Sequence, residues 1–159
     1  HALRLLYEGL TRVKRDPEDI DGRQKCLMGA WLSMTGIVSG CRLGASHAIG
    51  HILGGSANVP HGYTSCVMLP HVLEWNASVN AERQKALALA MGKPNIIASD
   101  LIGKLIEDLQ LPTKLKHVGV EKDQFETLSR NCMLDDWTFS NPKKIRSPDQ
   151  ITEILELAS

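Results

Sequence analysis

Residues 44–62 read Gly44-Ala45-Ser46-His47-Ala48-Ile49-Gly50-His51-Ile52-Leu53-Gly54-Gly55-Ser56-Ala57-Asn58-Val59-Pro60-His61-Gly62. The run from Ala45 to Leu53 is predicted helical, so His47 and His51, four residues apart, leave one face about one turn apart. Gly54-Gly55 is expected to end that helix, and a loop reaching Pro60 that doubles back returns His61 to the same face. Neutral imidazole is a good ligand for zinc and for ferrous iron, so the three histidines form a partial metal shell. The spacing leaves a second reading open, in which the two helical histidines hydrogen-bond inside a core. No Glu follows His47, which excludes the His-Glu-x-x-His metalloprotease pattern. No Asp or Glu lies between Cys41 and Leu73, so a divalent ion held by local groups alone would have only neutral ligands.

Outward from this stretch the sequence predicts helices almost throughout. Leu3, Leu6, Leu10 and Val13 fall on one face of a helix over Ala2–Lys14, which stops at Arg15-Asp16-Pro17. Asp19 or Asp21 can cap the next helix, whose apolar positions Leu27, Ala30, Trp31, Met34, Ile37 and Val38 run on to Gly40. Its small and apolar surface suggests a central helix, with Trp31 as a core residue. Downstream, a helix from Tyr63 to Asn80 is expected to bend or restart at Pro70. Ala81–Met91 and Ile96–Leu109 follow, parted by Gly92-Lys93-Pro94. Lys122–Met133 reads as one helix, and Ser147-Pro148 opens a last helix with Ser at the cap and Pro just inside. His71 is expected to make a structural hydrogen bond, His117 to lie on the surface near a turn, and Asp135-Asp136 to form a solvated turn or cap. Nothing alternates apolar and polar residues as a strand would, so the fold class is all-α, a multi-helix bundle.

The composition narrows the function classes. The chain has 159 residues, 18 Lys+Arg against 18 Asp+Glu and 43% hydrophobic residues, an ordinary globular balance that excludes wholesale disorder. Zero net charge without a basic block leaves no footprint for nucleic acid or for an anionic membrane surface. No apolar run approaches the roughly 20 residues of a membrane span, and the first residues lack the basic-then-apolar order of a signal peptide, so the chain reads as cytoplasmic. Cys26, Cys41, Cys66 and Cys132 are too widely spaced for a zinc knuckle or a disulfide scaffold and read as reduced core thiols. Residues 1–159 are expected to form a single all-helical domain. Its opening at His1, within an amphipathic helix, suggests a piece of something longer.

Taken together, Gly44-x-x-His47-x-x-x-His51-x-x-Gly54-Gly55, Pro60-His61-Gly62, Leu69-Pro70-His71-Val72-Leu73 and Asn76 resemble the signature of iron-containing alcohol dehydrogenases, close to the maleylacetate reductase-like branch. Arg15-Asp16-Pro17-Glu18-Asp19 with Gly29-Ala30-Trp31, and Cys132-Met133-Leu134-Asp135-Asp136 with Thr138, Asn141 and Pro142, extend the likeness over nearly the whole chain. The resemblance implies the C-terminal helical domain of the dehydroquinate synthase-like fold in an NAD(P)-dependent enzyme that interconverts alcohols with aldehydes or ketones. It implies that His47 and His61 are two ligands of a divalent metal, iron or possibly zinc. His51 matches a histidine beside the nicotinamide and the substrate, giving it a catalytic and cofactor-binding role in proton transfer. The family's other ligands, an Asp and a His, lie upstream of the matched region, and its N-terminal nucleotide-binding domain is absent here. No Gly-x-Gly-x-x-Gly follows a strand in these residues.

Maleylacetate reductases read His-His and Pro-His-Ala-Glu where this chain has Ser46-His47 and Pro60-His61-Gly62-Tyr63, which favours a general alcohol or carbonyl substrate. Alone, the chain is expected to bind metal weakly and catalyse nothing, and to be a homo-oligomer through uncovered apolar surface. Two other readings stand beside this one. The first is a free-standing helical binding or dimerisation module. The second is a small helical zinc protein that takes a fourth ligand from Cys41 or Cys66.

Overall fold

A computed structural model describes all of residues 1–159, as eight α-helices and two short 3₁₀ turns without a strand. Helices α1 (Ala2–Arg15) and α2 (Ile20–Val38) form an antiparallel hairpin. Asp19 makes its corner: the carboxylate caps α2 by accepting the Gly22 N–H at 2.9 Å and receives Nε and Nη2 of Arg12 at 2.6 and 2.7 Å. That guanidinium holds the Asp19 carboxyl below the usual carboxylate range. The two helices meet backbone to backbone, since a Cβ on Gly9 would fall 2.8 Å from Cys26 Sγ and 2.9 Å from the Gly22 carbonyl oxygen.

The hairpin corrects the expected place of α2. Only Gly22 and Gly29 of this helix are buried, while Leu27, Trp31 and Val38 are 73, 75 and 82% exposed. Small residues do allow close approach, but they serve one neighbour, α1, and leave the apolar face opposite bare. Trp31 is therefore a surface residue. The hairpin joins the body through α1, where Leu3 and Tyr7 pack on the smaller apolar cluster and Lys14 Nζ reaches the Leu109 carbonyl and Gln110 Oε1.

The body is built on α3 (Ala45–Ala57) and the long α4 (His61–Ala90). Ile49 and Leu53 of α3, Val67, Met68 and Val72 of α4, Leu128 of α6 (Phe125–Cys132) and Ile151, Ile154 and Leu155 of α8 (Pro148–Leu157) fill the larger cluster. Full burial of each such side chain is worth about 1.5–3 kcal/mol, which makes this cluster the chief source of stability. The smaller cluster joins the end of α4 to α5 (Ala98–Asp108) through Ala88, Met91, Leu101, Ile102 and Ile106. Ser147 and Pro148 open α8 at the expected positions.

Three boundaries differ from the sequence expectation. Helix α3 runs through Gly54-Gly55 and ends at Asn58, whose left-handed backbone (φ 54°) and N–H to the Leu53 carbonyl close the last turn. Helix α4 passes Pro70 unbroken; its one departure from helical geometry is at Asn80 (φ −136°, ψ 22°), where the sequence expectation divides Tyr63–Asn80 from Ala81–Met91. Buried Val67, Met68 and Val72 flank the proline and hold the helix through it, whereas at Asn80 the Gln84 amide donates to the Leu73 carbonyl at 2.7 Å and to Asn80 Oδ1 at 2.8 Å. Lys122–Met133 divides into a 3₁₀ turn (Lys122–Gln124), set by a Glu121/Gln124 capping box, and then α6. The four cysteines are all free; Cys132 is a core thiol as expected, but Cys41 is exposed.

Candidate metal and proton-transfer site

The first turn of α3 has no side-chain cap of its own, because its N-cap is Gly44. Its cap comes from 96 residues away: Asn141 Oδ1 accepts the Ala45 N–H at 3.1 Å. Asn141 is held by Asn76 of α4, each amide donating to the other at 2.7 and 3.2 Å, and its Nδ2 also reaches the Lys143 carbonyl at 2.8 Å. Both asparagines are buried and fully partnered. This lock fixes the start of α3 against α4 and the C-terminal segment, and so fixes the direction in which α3 projects its histidines.

A second device sets the distance between the helices. Gly50 faces Thr64, and a Cβ there would fall 2.8 Å from the threonine hydroxyl oxygen. That hydroxyl donates to the His61 carbonyl at 2.8 Å. The short connection Asn58-Val59-Pro60 then places His61 at the first position of α4, beside His47. The ring centroids of His47 and His61 are 5.4 Å apart and those of His47 and His51 4.9 Å, both edge to face. The structure therefore brings together all three histidines singled out in the sequence. His71 is half-buried elsewhere on α4, and His117 is exposed in the 3₁₀ turn Leu115–Val118.

Burial lowers the His47 pKa, the neighbouring His51 and His61 lower it further, and Asp135 pulls it the other way. The net effect favours neutral imidazole, the form with a free lone pair for a metal. His51 is 40% exposed, and its Nδ1 lies 2.7 Å from Asp135 Oδ2. Asp135 is the N-cap of α7 (Asp136–Phe139), its other oxygen accepting the Trp137 N–H at 2.8 Å. The Trp137 ring centroid sits 4.9 Å from that of His51 and 5.0 Å from that of His47. Asp135 is thus a cap, as the sequence suggested, and also the carboxylate of the cluster. Its pairing with His51 spans 84 residues, so no local signal could reveal it.

The donor set fits a metal only in part. His47 and His61 offer two imidazole nitrogens, half of a tetrahedral shell, and no group of three His, Cys, Asp or Glu side chains in the chain is arranged to hold an ion by itself. Cys41 is exposed, the Cys66 thiol meets the Gly62 carbonyl at 3.4 Å, and neither joins the histidines in a group of three that could hold the zinc of a small zinc protein. With no strand, these residues also contain no βαβ unit for a dinucleotide.

The family model described as Fe-containing alcohol dehydrogenase family, C-terminal, matches residues 1–159. The chain belongs to the Fe-containing alcohol dehydrogenase family. Among its curated relatives in this family, it is 29% identical to a 1,3-propanediol dehydrogenase of Citrobacter freundii, covering 99% of this chain and 42% of that one. It is 30% identical to a maleylacetate reductase of Burkholderia cepacia, covering 99% and 43%. The solved iron-containing alcohol dehydrogenase of Corynebacterium glutamicum superposes with a TM-score of 0.87 at 27% identity, covering 99% of this chain and 43% of that one. The chain spans less than half the length of these relatives. No helix in it is long and apolar enough to cross a membrane.

Proposed function

We propose that residues 1–159 are the helical, metal-ligating part of an NAD(P)-dependent iron-type alcohol dehydrogenase. The observation that carries this reading is the convergence of His47, His51 and His61 in a chain of this family. His47 and His61 would hold a divalent ion, iron or zinc, with its remaining ligands coming from outside these residues. When bound, such an ion polarises the oxygen of an alcohol, aldehyde or ketone while a nicotinamide takes up or delivers hydride. Within this chain, burial keeps His47 in its ligating form, Gly50 and Thr64 keep His61 within reach of it, and the Asn76–Asn141 lock aims α3. His51 lies next to His47 and is the group placed to take or return the hydroxyl proton and to contact the nicotinamide.

Zinc or cobalt titration by calorimetry tests this. Weak binding is expected, abolished by His47→Ala and by His61→Ala. Binding that neither substitution alters would remove the metal site from the proposal. The isolated chain is expected to catalyse nothing; oxidation of primary alcohols with NAD at rates comparable to a full-length relative would overturn that. Localisation in the cytoplasm belongs to the same proposal.

The exposed apolar face of α2 supports a second reading, a helical module that associates with copies of itself. Leu27, Trp31, Met34 and Val38 follow one another at spacings of 4, 3 and 4 along that face. Sedimentation velocity between low and high micromolar protein distinguishes the readings. A homo-oligomer should revert to monomer in Trp31→Lys, and a wild-type chain that is monomeric throughout removes self-association.

A further inference from the structure

The carboxylate of Asp135 is more than a cap. Its two oxygens each meet one donor: Oδ1 takes the Trp137 N–H at 2.8 Å and Oδ2 meets His51 Nδ1 at 2.7 Å. The Asp135 side chain is only 17% exposed, so little water competes for these bonds. An ionised carboxylate can only accept, so the imidazole nitrogen facing it must carry a proton. In the neutral ring that leaves the lone pair on Nε2. Trp137, fixed by the same carboxylate, lies 4.9 Å from His51 with the rings only 33° apart, and so limits rotation of the imidazole about its own axis.

We infer that Asp135 is a positioning residue that locks His51 in the Nδ1–H tautomer, presenting Nε2 as the acceptor for a substrate hydroxyl, with Trp137 setting the plane of the ring. The inference rests on the reading of His51 as the proton-transfer group and deepens it: the substrate class favoured is one that donates an O–H to this nitrogen, an alcohol. Its geometry depends on neither the metal nor the nicotinamide. A proton taken at Nε2 leaves a doubly protonated imidazole whose Nδ1–H points at a carboxylate, which stabilises the charge; returning the proton restores the starting tautomer.

Long-range proton–nitrogen spectra of the histidine-labelled chain test it, recorded near about pH 9, well above the ordinary imidazole pKa of about 6.5, with His51 assigned by its loss in His51→Gln. In the wild type the Nδ1–H form should exceed the other by about ten-fold or more, the strength of a hydrogen bond to a charged acceptor. Asp135→Asn keeps a good N-cap but turns an amide NH₂ towards Nδ1, and should invert the preference to Nε2–H. A wild-type His51 that is mainly Nε2–H or evenly mixed overturns the inference without any variant. So does an Asp135→Asn chain with wild-type circular dichroism and an unchanged tautomer. Loss of metal binding in the titration above would refute the metal reading while leaving these spectra unaltered, so the two failures are told apart.

Discussion

Removing the Asn141 side chain should cost far more than its single amide suggests. Asparagine 141 is 1% exposed and makes four hydrogen bonds: to the Ala45 N–H, to both ends of the Asn76 amide, and to the Lys143 carbonyl. In Asn141→Ala the Ala45 N–H, the Asn76 NH₂ and the Lys143 carbonyl lose this partner together, while Asn76 Oδ1 keeps the Lys143 N–H at 3.3 Å. A buried group left without a partner costs about 1–3 kcal/mol, and some relaxation and water entry offset part of it. The expected loss is about 3–5 kcal/mol, a large share of the roughly 5–15 kcal/mol that holds a typical domain together. At about 2–4 °C per kcal/mol, the melting temperature should fall by roughly 6–20 °C. Urea unfolding followed by circular dichroism reads this directly, with an unchanged slope against denaturant showing that the mechanism of unfolding is the same. Asn76→Ala should cost a similar amount, and the double variant little more than either, because the two amides share their bonds. A loss below about 1 kcal/mol for Asn141→Ala, or additive losses in the double variant, would refute the lock.

Further outcomes follow from other features. Gly50→Ala should destabilise by about 1–3 kcal/mol, because the new Cβ would meet both the Thr64 hydroxyl, which is tied to the His61 carbonyl, and Thr64 Cβ, and should weaken zinc binding by moving His61 from His47; calorimetry and urea unfolding check both. Trp31→Lys should change monomer stability by no more than about 0.5 kcal/mol, as its side chain is 75% exposed, whereas a core tryptophan would cost several times that. Burial lowers the His71 pKa, so the unfolded chain takes up the proton first as pH drops below about 6.5. Stability is then lost on acidification through that window, and His71→Gln should show a shallower pH dependence of unfolding, although His47 keeps part of it. Burial pushes the Cys132 thiol up to about 12, so it should resist a disulfide reagent at pH 8 in the folded chain and react only after unfolding, while exposed Cys41 reacts at once.

The helices themselves were legible because their signals are local. Spacing marks α1, α3 and α5, and Ser147-Pro148 marks the start of α8 at the observed residues. The three histidines were legible too, since two share a helix face and the third follows a turn of three residues. What sequence alone could not supply was cover and distance. The apolar count of α2 says that it has something to bury, but only the fold shows that α1 meets its glycines and that nothing in the chain meets Trp31. Pro70 looks like a break by local rule, yet burial on both sides of it outweighs one missing N–H. Asp135 reads as a turn residue from its neighbours, and its pairing with His51 depends on α3, α6 and α7 being folded together.

The long reach of the contacts around α3 has a consequence for how the molecule comes into being. A chain leaving the ribosome presents α1, α2 and the three histidines first, yet the cap of α3 waits for Asn141, 96 residues on, and the carboxylate beside His51 waits for Asp135, 84 residues on. The α1–α2 hairpin, closed by neighbours in sequence, can form during synthesis. Any product cut short before Asp135 therefore carries His47, His51 and His61 but lacks the parts that order them, so synthesis of the Asp135–Asn141 segment is the step that switches these three histidines from loose residues to a defined array.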